Sequence, residues 1–340
     1  MISDDQIGFA VAGLGRIGKR HADILTAHPE CRIVASCDVL PGRKLEFPES
    51  LPLFHSVEAL LSSGIPFDVL SITTPNGFHE AHALQALDAG KHVVIEKPMA
   101  LSSLGCENII AKAKKYSLEV FCVMQNRFSP PVLWLKDLWS SGRLGRCYMI
   151  QVNCFWNRDG RYYQKGSWRG SKEVDGGILF TQFSHFIDML VWLFGGINVI
   201  AAQLGNFNHP ELPGFEDSGQ VGFKLPDGGL GSLNYTTSCW DKNFESNISI
   251  IAEKGTLKIA GQYLDRIEYS HIRDYSIPQS QDFDSRYGVF NGPEANHRLF
   301  YNSVVNRLRN RAAATIDPAD GAGTIAIIEQ IMKARSVTSA

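Results

Sequence analysis

Long hydrophobic runs are lacking. The most apolar stretch, "MLVWLFGGINVIAA" (189–202), is short and broken by Gly195 and Gly196. A membrane-spanning helix needs about 20 apolar residues, so no span is expected. Paired cysteines are lacking too. The seven cysteines stand singly at 31, 37, 106, 122, 147, 154 and 239, with no CxxC, which suggests neither a disulfide framework nor a zinc ribbon. An excess of either charge is absent: 33 basic and 35 acidic residues give a formal net charge of -2. Nucleic acid and anionic membranes select basic surfaces, so neither is an expected partner. The opening "MISDDQ" is acidic and has no basic n-region, so a secretory signal is not expected. The expectation is a reduced, cytoplasmic chain. No internal repeat or low-complexity tract occurs. The histidines at 21, 28, 55, 82, 92, 209, 271 and 297 show no metal-ligand spacing, and His79 and His82 lack a carboxylate constellation. No metal is expected.

What is present is an ordinary globular composition, 44% hydrophobic and 20% charged over 340 residues. That length suggests two domains. The first part alternates strand and helix signals: strands at 7–13, 32–38, 67–73, 92–97 and 119–125, helices at 16–28, 56–63, 78–90 and 102–116, with Ser56 as an N-cap. Strands alternating with crossover helices imply a parallel sheet covered on both faces. After "NRFSPP" and a helix at about 131–141 the pattern changes to long strand-like runs. Several are separated by turn pairs such as Asp227-Gly228 and Lys254-Gly255, which read as hairpins. Helical signals recur at 184–194, 296–309 and 318–336, and 271–296 reads as a long loop or lid. The expected fold is an α/β doubly wound parallel-sheet domain, residues 1–126, followed by an α+β domain with a large, mostly antiparallel sheet, residues 127–340.

"VAGLGRIG" holds Gly13-x-Gly15-x-x-Gly18 between a buried strand and a helix. That is the context a dinucleotide cradle requires. The first glycine permits the tight turn, the second lets backbone approach a pyrophosphate, and the third lets helix pack on strand. Gly13, Gly15, Arg16, Ile17 and Gly18 are therefore cofactor candidates. Twenty residues beyond Gly18 the second strand ends at Asp38, whose carboxylate suits ribose hydroxyls and repels a 2′-phosphate. NAD is expected over NADP, with Arg43 nearby to soften the preference. Thr74, Pro75 and Asn76, after the strand ending at Thr73, would line the same cleft, with His79 on the next helix; Asn76 also suits a helix cap.

The stretch "VIEKPMA" (94–100) ends an apolar strand in Glu96, Lys97 and Pro98. Neighbouring strand side chains point to opposite faces, so a tight Glu96–Lys97 salt bridge is not expected. The segment "RDGRYYQKGSWRG" carries Arg158, Arg161, Tyr162, Tyr163, Lys165, Trp168 and Arg169. Arg and Lys suit diphosphate or carboxylate, and aromatic faces stack on sugar or base.

"GLGRIG", "ITTPNGFHEAHALQALDAGKHVVIEKPMA" and "GGILFTQFSHFIDML" together resemble the Gfo/Idh/MocA oxidoreductase family over essentially the whole chain. Within it, "QNRFSPPVLWL", the run from Gly145 to Leu190 and "GSLNYTTSCWDKNFESNISIIAEKGTLKI" look like bacterial dehydrogenases that oxidise the 3-hydroxyl of UDP-N-acetylglucosaminuronic acid for surface polysaccharide. The resemblance implies a Rossmann domain plus an open-faced sheet domain, a homo-oligomer (dimer or tetramer) formed through that sheet, and a cis Lys97–Pro98 bond. It implies that Lys97 lies beside nicotinamide and substrate hydroxyl, that Glu96 and Gln125 line the cofactor, and that the catalytic histidine is His185. Asn126, Arg127, Tyr163, Trp168, Arg169 and Thr181 become substrate candidates. A nearby ammonium stabilises a developing alkoxide, and a depressed pKa would let Lys97 take the proton. Many members carry Asp one helical turn before the histidine, where this chain has Thr181. A carboxylate there orients the imidazole and favours its charged form; Asp188 is the alternative orienting group, and weight shifts to Lys97 as base.

The leading function is an NAD-dependent dehydrogenase of a UDP-linked amino-uronic acid. The alternatives are another sugar or cyclitol substrate, such as UDP-N-acetylglucosamine or inositol, and a non-catalytic dinucleotide sensor.

Overall fold

The computed structural model describes residues 6–40, 42–43, 51–164, 166–212, 214–289, 291–313 and 316–337; Lys165 lies outside them. By backbone packing the chain forms two compact units, 1–124 with 297–325, and 125–296 with 326–340. Residues 297–325, expected in the second domain, therefore pack with the first. Hydrophobic periodicity marks the helix there but not which core it covers: Phe300, Tyr301, Val304 and Val305 are all buried, with Phe300 and Tyr301 edge-on and Tyr301 edge-on to Phe9.

The first unit contains β1 (Ile7–Ala12), α1 (Arg16–Ala27), β2 (Cys31–Cys37), β3 (Leu53–Phe54), α2 (Val57–Leu61), β4 (Val69–Ile72), α3 (His79–Asp88), β5 (His92–Ile95), α4 (Ser103–Tyr116) and β6 (Val120–Cys122). The six strands are parallel, in the order β3-β2-β1-β4-β5-β6. Every residue of β1, β4 and β6 is buried, as expected of strands covered on both faces. The order reverses between β1 and β4, so the crevice for a ligand opens at their carboxyl ends. Ser56 caps α2 by accepting from the Ala59 amide. Ser102 caps α4 in the same way through Gly105.

The second unit begins with a short 3-10 turn, Gln125–Phe128, and α5 (Pro130–Ser140), whose prolines occupy the first helical positions. There the missing amide hydrogens cost nothing. Then come β7 (Cys147–Phe155), α6 (Ile178–Thr181), α7 (Ser184–Phe194), β8 (Asn198–Gly205), β9 (Ser218–Lys224), β10 (Leu230–Thr236), β11 (Glu245–Ala252), β12 (Gly255–Ala260), β13 (Arg266–Ile272) and α8 (Ser280–Tyr287). Helix α9 (Pro293–Leu308) leads into the first unit, and α10 (Pro318–Ala334) returns to β14 (Arg335–Val337). The span 271–296, expected as a loop or lid, holds the end of β13, all of α8 and the start of α9.

The second sheet has eight strands in the order β13-β12-β11-β7-β10-β9-β8-β14. Pairing is antiparallel except for β7–β10 and β8–β14. Alternation is clear: Ile150, Val152 and Cys154 of β7 are buried, while Met149, Gln151 and Asn153 face the other way. On that open face the register aligns Asn247, Asn153 and Asn234. Their amides bond across the strands at 3.2 and 2.9 Å. Ile251, Met149 and Leu230 form an exposed apolar row beside them.

Candidate active site

In the first unit the predicted cofactor residues gather at the carboxyl ends of the strands. Gly13 has φ +91°, and a Cβ there would meet the Thr73 carbonyl at 2.7 Å. A Cβ on Gly18 would lie 1.8 Å from the Gly13 carbonyl oxygen. The turn and the close packing of helix on strand therefore require glycine at both positions. Gly15 meets only Arg43, at 3.6 Å, and leaves open space for a ligand. It precedes α1, whose first turn has neither a side-chain cap nor an acidic residue; its amides are oriented to receive an anion. Asp38 is 6% exposed. It accepts from the Leu14 amide at 2.7 Å and the Leu40 amide at 2.8 Å, and Arg43 lies 3.9 Å away. A carboxylate has about four acceptor sites, so two bonds to the turn leave capacity for ribose hydroxyls. The cradle fits a dinucleotide.

Two predicted cofactor contacts also have partners in the framework. Both ring nitrogens of His79 are engaged by backbone carbonyls, Pro98 at 2.7 Å and Thr74 at 2.8 Å. Burial pushes its pKa down despite those bonds, so it ties the cleft loop to the Lys97–Pro98 turn. That peptide bond is cis. Glu96 is 8% exposed. Its carboxylate accepts from the Lys97 amide at 3.1 Å and from Nε2 of His21 at 3.0 Å, with His297 at 3.8 Å. Burial opposes its charge, but the bonds from His21 and His297 outweigh this and hold Glu96 well below the carboxylate range. Burial lowers the pKa of His21, opposed by its bond to Glu96, and its Nδ1 meets Ser71 and Tyr301 at 3.0 and 2.9 Å. His21, Glu96 and His297 are a set that could hold a metal ion. Sequence spacing could not reveal it, because three distant segments supply it. Here the geometry at His21 and Glu96 is that of a hydrogen bond. Lys97 itself is half-buried just beyond β5. Asn76 is buried and opens the 3-10 turn Asn76–Phe78, with Pro75 in the cap position; Thr74 bonds His82 at 3.1 Å.

In the second unit the expectations divide. His185 is 8% exposed on the first turn of α7, and its Nε2 lies 3.3 Å from Nε2 of Gln125. Gln125, expected at the cofactor, thus partners the histidine. Arg127, expected at the substrate, is 1% exposed and buried against Asp188. Its Nε donates to Oδ2 at 2.8 Å, its Nη2 donates to Oδ1, and its guanidinium covers Trp192 at 5.2 Å. Both Asp188 oxygens serve this buried ion pair. Asn126, beside it, is also buried.

Thr181 is buried, and its hydroxyl donates to the Gly177 carbonyl at 3.1 Å. Two carboxyls that the sequence reading missed lie close by. Asp175 accepts from the Gly170 amide at 2.7 Å and the Gly177 amide at 3.4 Å; burial raises its pKa, opposed by these bonds, Arg169 and Thr181. Burial pushes Glu216 up to about 7, against bonds from its own amide and that of Leu179. Gly177 has φ +112°, and a Cβ there would stand 3.3 Å from Glu216 Oε1. Asp175 was detectable as the acid before a glycine pair. Glu216 carries no local signal.

The basic–aromatic segment folds into a cluster. Arg158 donates to Gln182 at 2.7 Å and covers Trp156 at 5.0 Å; Gln182 donates to the Tyr162 hydroxyl at 2.8 Å. Arg169 lies over Tyr162 at 4.6 Å and Trp168 at 5.2 Å. Its Nε is buried with no hydrogen-bond partner among the described residues. Tyr163 packs edge-on to Tyr162 and His209. Arg161 is exposed and paired with Asp159.

A glycine cradle at a helix N-terminus, an acid at the end of the second strand and a lysine beyond β5 define a dinucleotide-dependent oxidoreductase. Residues 7–123 match the NAD-binding Rossmann domain of the Gfo/Idh/MocA oxidoreductase family, and 132–258 match the family's C-terminal domain. The chain belongs to that family, and its cofactor is NAD. It is similar to the WlbA dehydrogenase of Bordetella pertussis, solved with NADH and UDP-GlcNAcA: 30% identity, 98% of this chain and 96% of that one, TM-score 0.88. The WlbA dehydrogenase of Chromobacterium violaceum, solved with the same ligands, is 30% identical over 98% of this chain and 94% of that one, TM-score 0.87. A curated relative, the 2,7-anhydro-N-acetylneuraminate hydratase of Escherichia coli, is 26% identical over 74% of this chain and 67% of its own length. Against two further curated relatives the chain spans only 50% and 56% of their length. Among the described residues no helix is long and apolar enough to cross a membrane.

Proposed function

We propose that this protein is a dehydrogenase that oxidises the 3-hydroxyl of a UDP-linked N-acetylamino-uronic acid. Two observations support the reading. The chain is similar over 98% of its length to a dehydrogenase whose structure holds NADH and UDP-GlcNAcA. Arg169 also presents a buried, unbonded Nε within an aromatic frame, which suits an anionic sugar nucleotide. Bound NAD supplies the hydride acceptor. The protein's own groups do the rest. The α1 N-terminus receives the pyrophosphate, and Asp38 accepts from ribose hydroxyls. Lys97 stabilises the developing alkoxide by its charge. His185 takes the hydroxyl proton as general base. Arg169, Trp168 and Tyr163 hold the substrate.

Turnover tests this directly: follow NADH formation with UDP-N-acetylglucosaminuronate, UDP-N-acetylglucosamine, inositol and glucose. The uronate is expected to win. Equal or faster oxidation of a free sugar or cyclitol would rule out the nucleotide-sugar assignment, and NAD binding with no turnover on any substrate would favour the sensor. We further propose that the protein works in the cytoplasm as a homo-oligomer formed through the open face of the second sheet. The exposed row Ile251, Met149 and Leu230 beside the asparagine ladder supports this. Light scattering on wild type and Gln151→Arg, which places a charge on that face, is the check; a monomeric wild type would discard it.

A further inference from the structure

The partner of His185 has two ends, and the structure uses one. Nε2 of Gln125 lies 3.3 Å from Nε2 of His185. The other amide atom, Oε1, is buried and has no hydrogen-bond partner among the described residues. Buried polar atoms without partners are uncommon, and each asks for an explanation. A carboxamide keeps its shape when its plane turns by half a revolution, so donor and acceptor exchange places.

The two states of an imidazole need opposite partners at Nε2. With the proton on Nδ1, the neutral ring presents a lone pair at Nε2 and wants a donor. The charged ring presents N–H at both nitrogens and wants an acceptor. Gln125 carries both groups within reach of the same atom. A carboxylate could serve only the charged state and would favour it. The residue one turn before His185 is Thr181, whose hydroxyl donates to Gly177, and Asp188 gives both oxygens to Arg127.

We propose that Gln125 is the positioning residue of His185. Its amide NH2 holds the neutral ring through Nε2, and its carbonyl accepts from Nε2–H once the ring is charged. The inference rests on the assignment of His185 as the base. In that step the substrate hydroxyl first takes the place of the amide N–H at Nε2, its O–H bond breaks and its proton bonds to Nε2; Gln125 then turns, and its carbonyl accepts from Nε2–H as the oxidised product leaves. The amide adds no charge, so it orients the ring without holding a proton on it. Charged groups on these segments and on those packed against them include Arg127, Asp188, Lys136, which donates to the Trp192 carbonyl, Arg158, which holds Gln182, Asp175, which faces Thr181, and Glu216, which takes a bond from the Leu179 amide.

Nitrogen NMR of imidazole-labelled protein reads the tautomer and titration of His185 independently of activity, with His185→Asn for assignment. Wild type is expected to hold the Nδ1–H tautomer when neutral. Gln125→Glu keeps the shape and adds a carboxylate; it should raise the His185 pKa by about 1–2 units and move the acidic limb of kcat upward equally. Gln125→Met should mix the tautomers and lower kcat by about tenfold or more with little change in KM. A His185 titration and tautomer unaltered in Gln125→Glu would overturn the inference, whether or not the Met variant folds. A titration that moves while the acidic limb stays fixed would keep Gln125 as the positioning residue and remove His185 as base.

Discussion

Replacing Arg127 by Met separates a structural role from a substrate-binding one. Met retains an apolar stem to cover Trp192 but removes the guanidinium. The side chains of Arg127 and Asp188 are 1% and 0% exposed, so no solvent replaces the lost charge. Asp188 then keeps a buried anion that has lost two charge-assisted donors. Breaking a buried pair in this way costs about 3–5 kcal/mol. With a urea dependence of about 2 kcal/mol per molar, the midpoint should fall by about 2 M. Asp188→Asn, which strands the arginine, should cost a similar amount. The double variant Arg127→Met with Asp188→Leu should recover most of the loss, because replacing both charges by apolar groups is often nearly neutral. Near-ultraviolet circular dichroism in urea measures this, and KM for the nucleotide sugar is measured on the same samples. A midpoint that moves by less than about 0.5 M, with KM raised about tenfold, would refute the reasoning and return Arg127 to the substrate.

Lys97→Met should lower turnover about 10²-fold or more, and His185→Asn by about 10²–10⁴-fold; near-normal rates in both would place the chemistry elsewhere. A basic limb of the pH profile lost only in the lysine variant identifies the alkoxide-facing cation, and an acidic limb lost only in the histidine variant identifies the base. Asp38→Ala should weaken NAD more than NADP in calorimetric titrations, since the repulsive carboxylate is gone; tighter NADP binding by the wild type would contradict the role given to Asp38. Burial raises the folded pKa of Glu216 to about 7, against an ordinary value of about 4.5. The unfolded chain therefore loses its proton first, and this group's contribution to stability falls as pH rises from about 4.5 to 7, then stays lost. Glu216→Gln should remove that slope from melting curves between pH 5 and 7; a slope shared by both proteins would show that Glu216 is ionised in the fold.

Much of the site was legible because its signals are local. Gly13-x-Gly15-x-x-Gly18, Asp38 and the edge at Lys97 sit where a strand ends, and a buried run followed by a glycine or a proline states that in the sequence. The long strand-like runs and the turn pairs at 227–228 and 254–255 likewise announced a second, mostly antiparallel sheet, because a tight turn between two runs pairs them as a hairpin; its open face was implied by the family resemblance. Helix bounds were close for the same reason: caps and breaks such as Ser56 and Ser102 act within one turn.

Tertiary structure alone decided where the long-range partners go. Nothing near Arg127 announces Asp188, and nothing near Glu96 announces His21 and His297, since each pairing is made by folding segments far apart in the chain. A buried charge takes whichever opposite or hydrogen-bonding group the packing brings to it, and the same residue type on a surface would have read identically. That is why the framework partners of Arg127 and His79 were not anticipated, and why Glu216 was not. It is also why residues 297–325 pack with the first unit: an apolar helical face in the sequence says that it will be buried, and only the fold says against what.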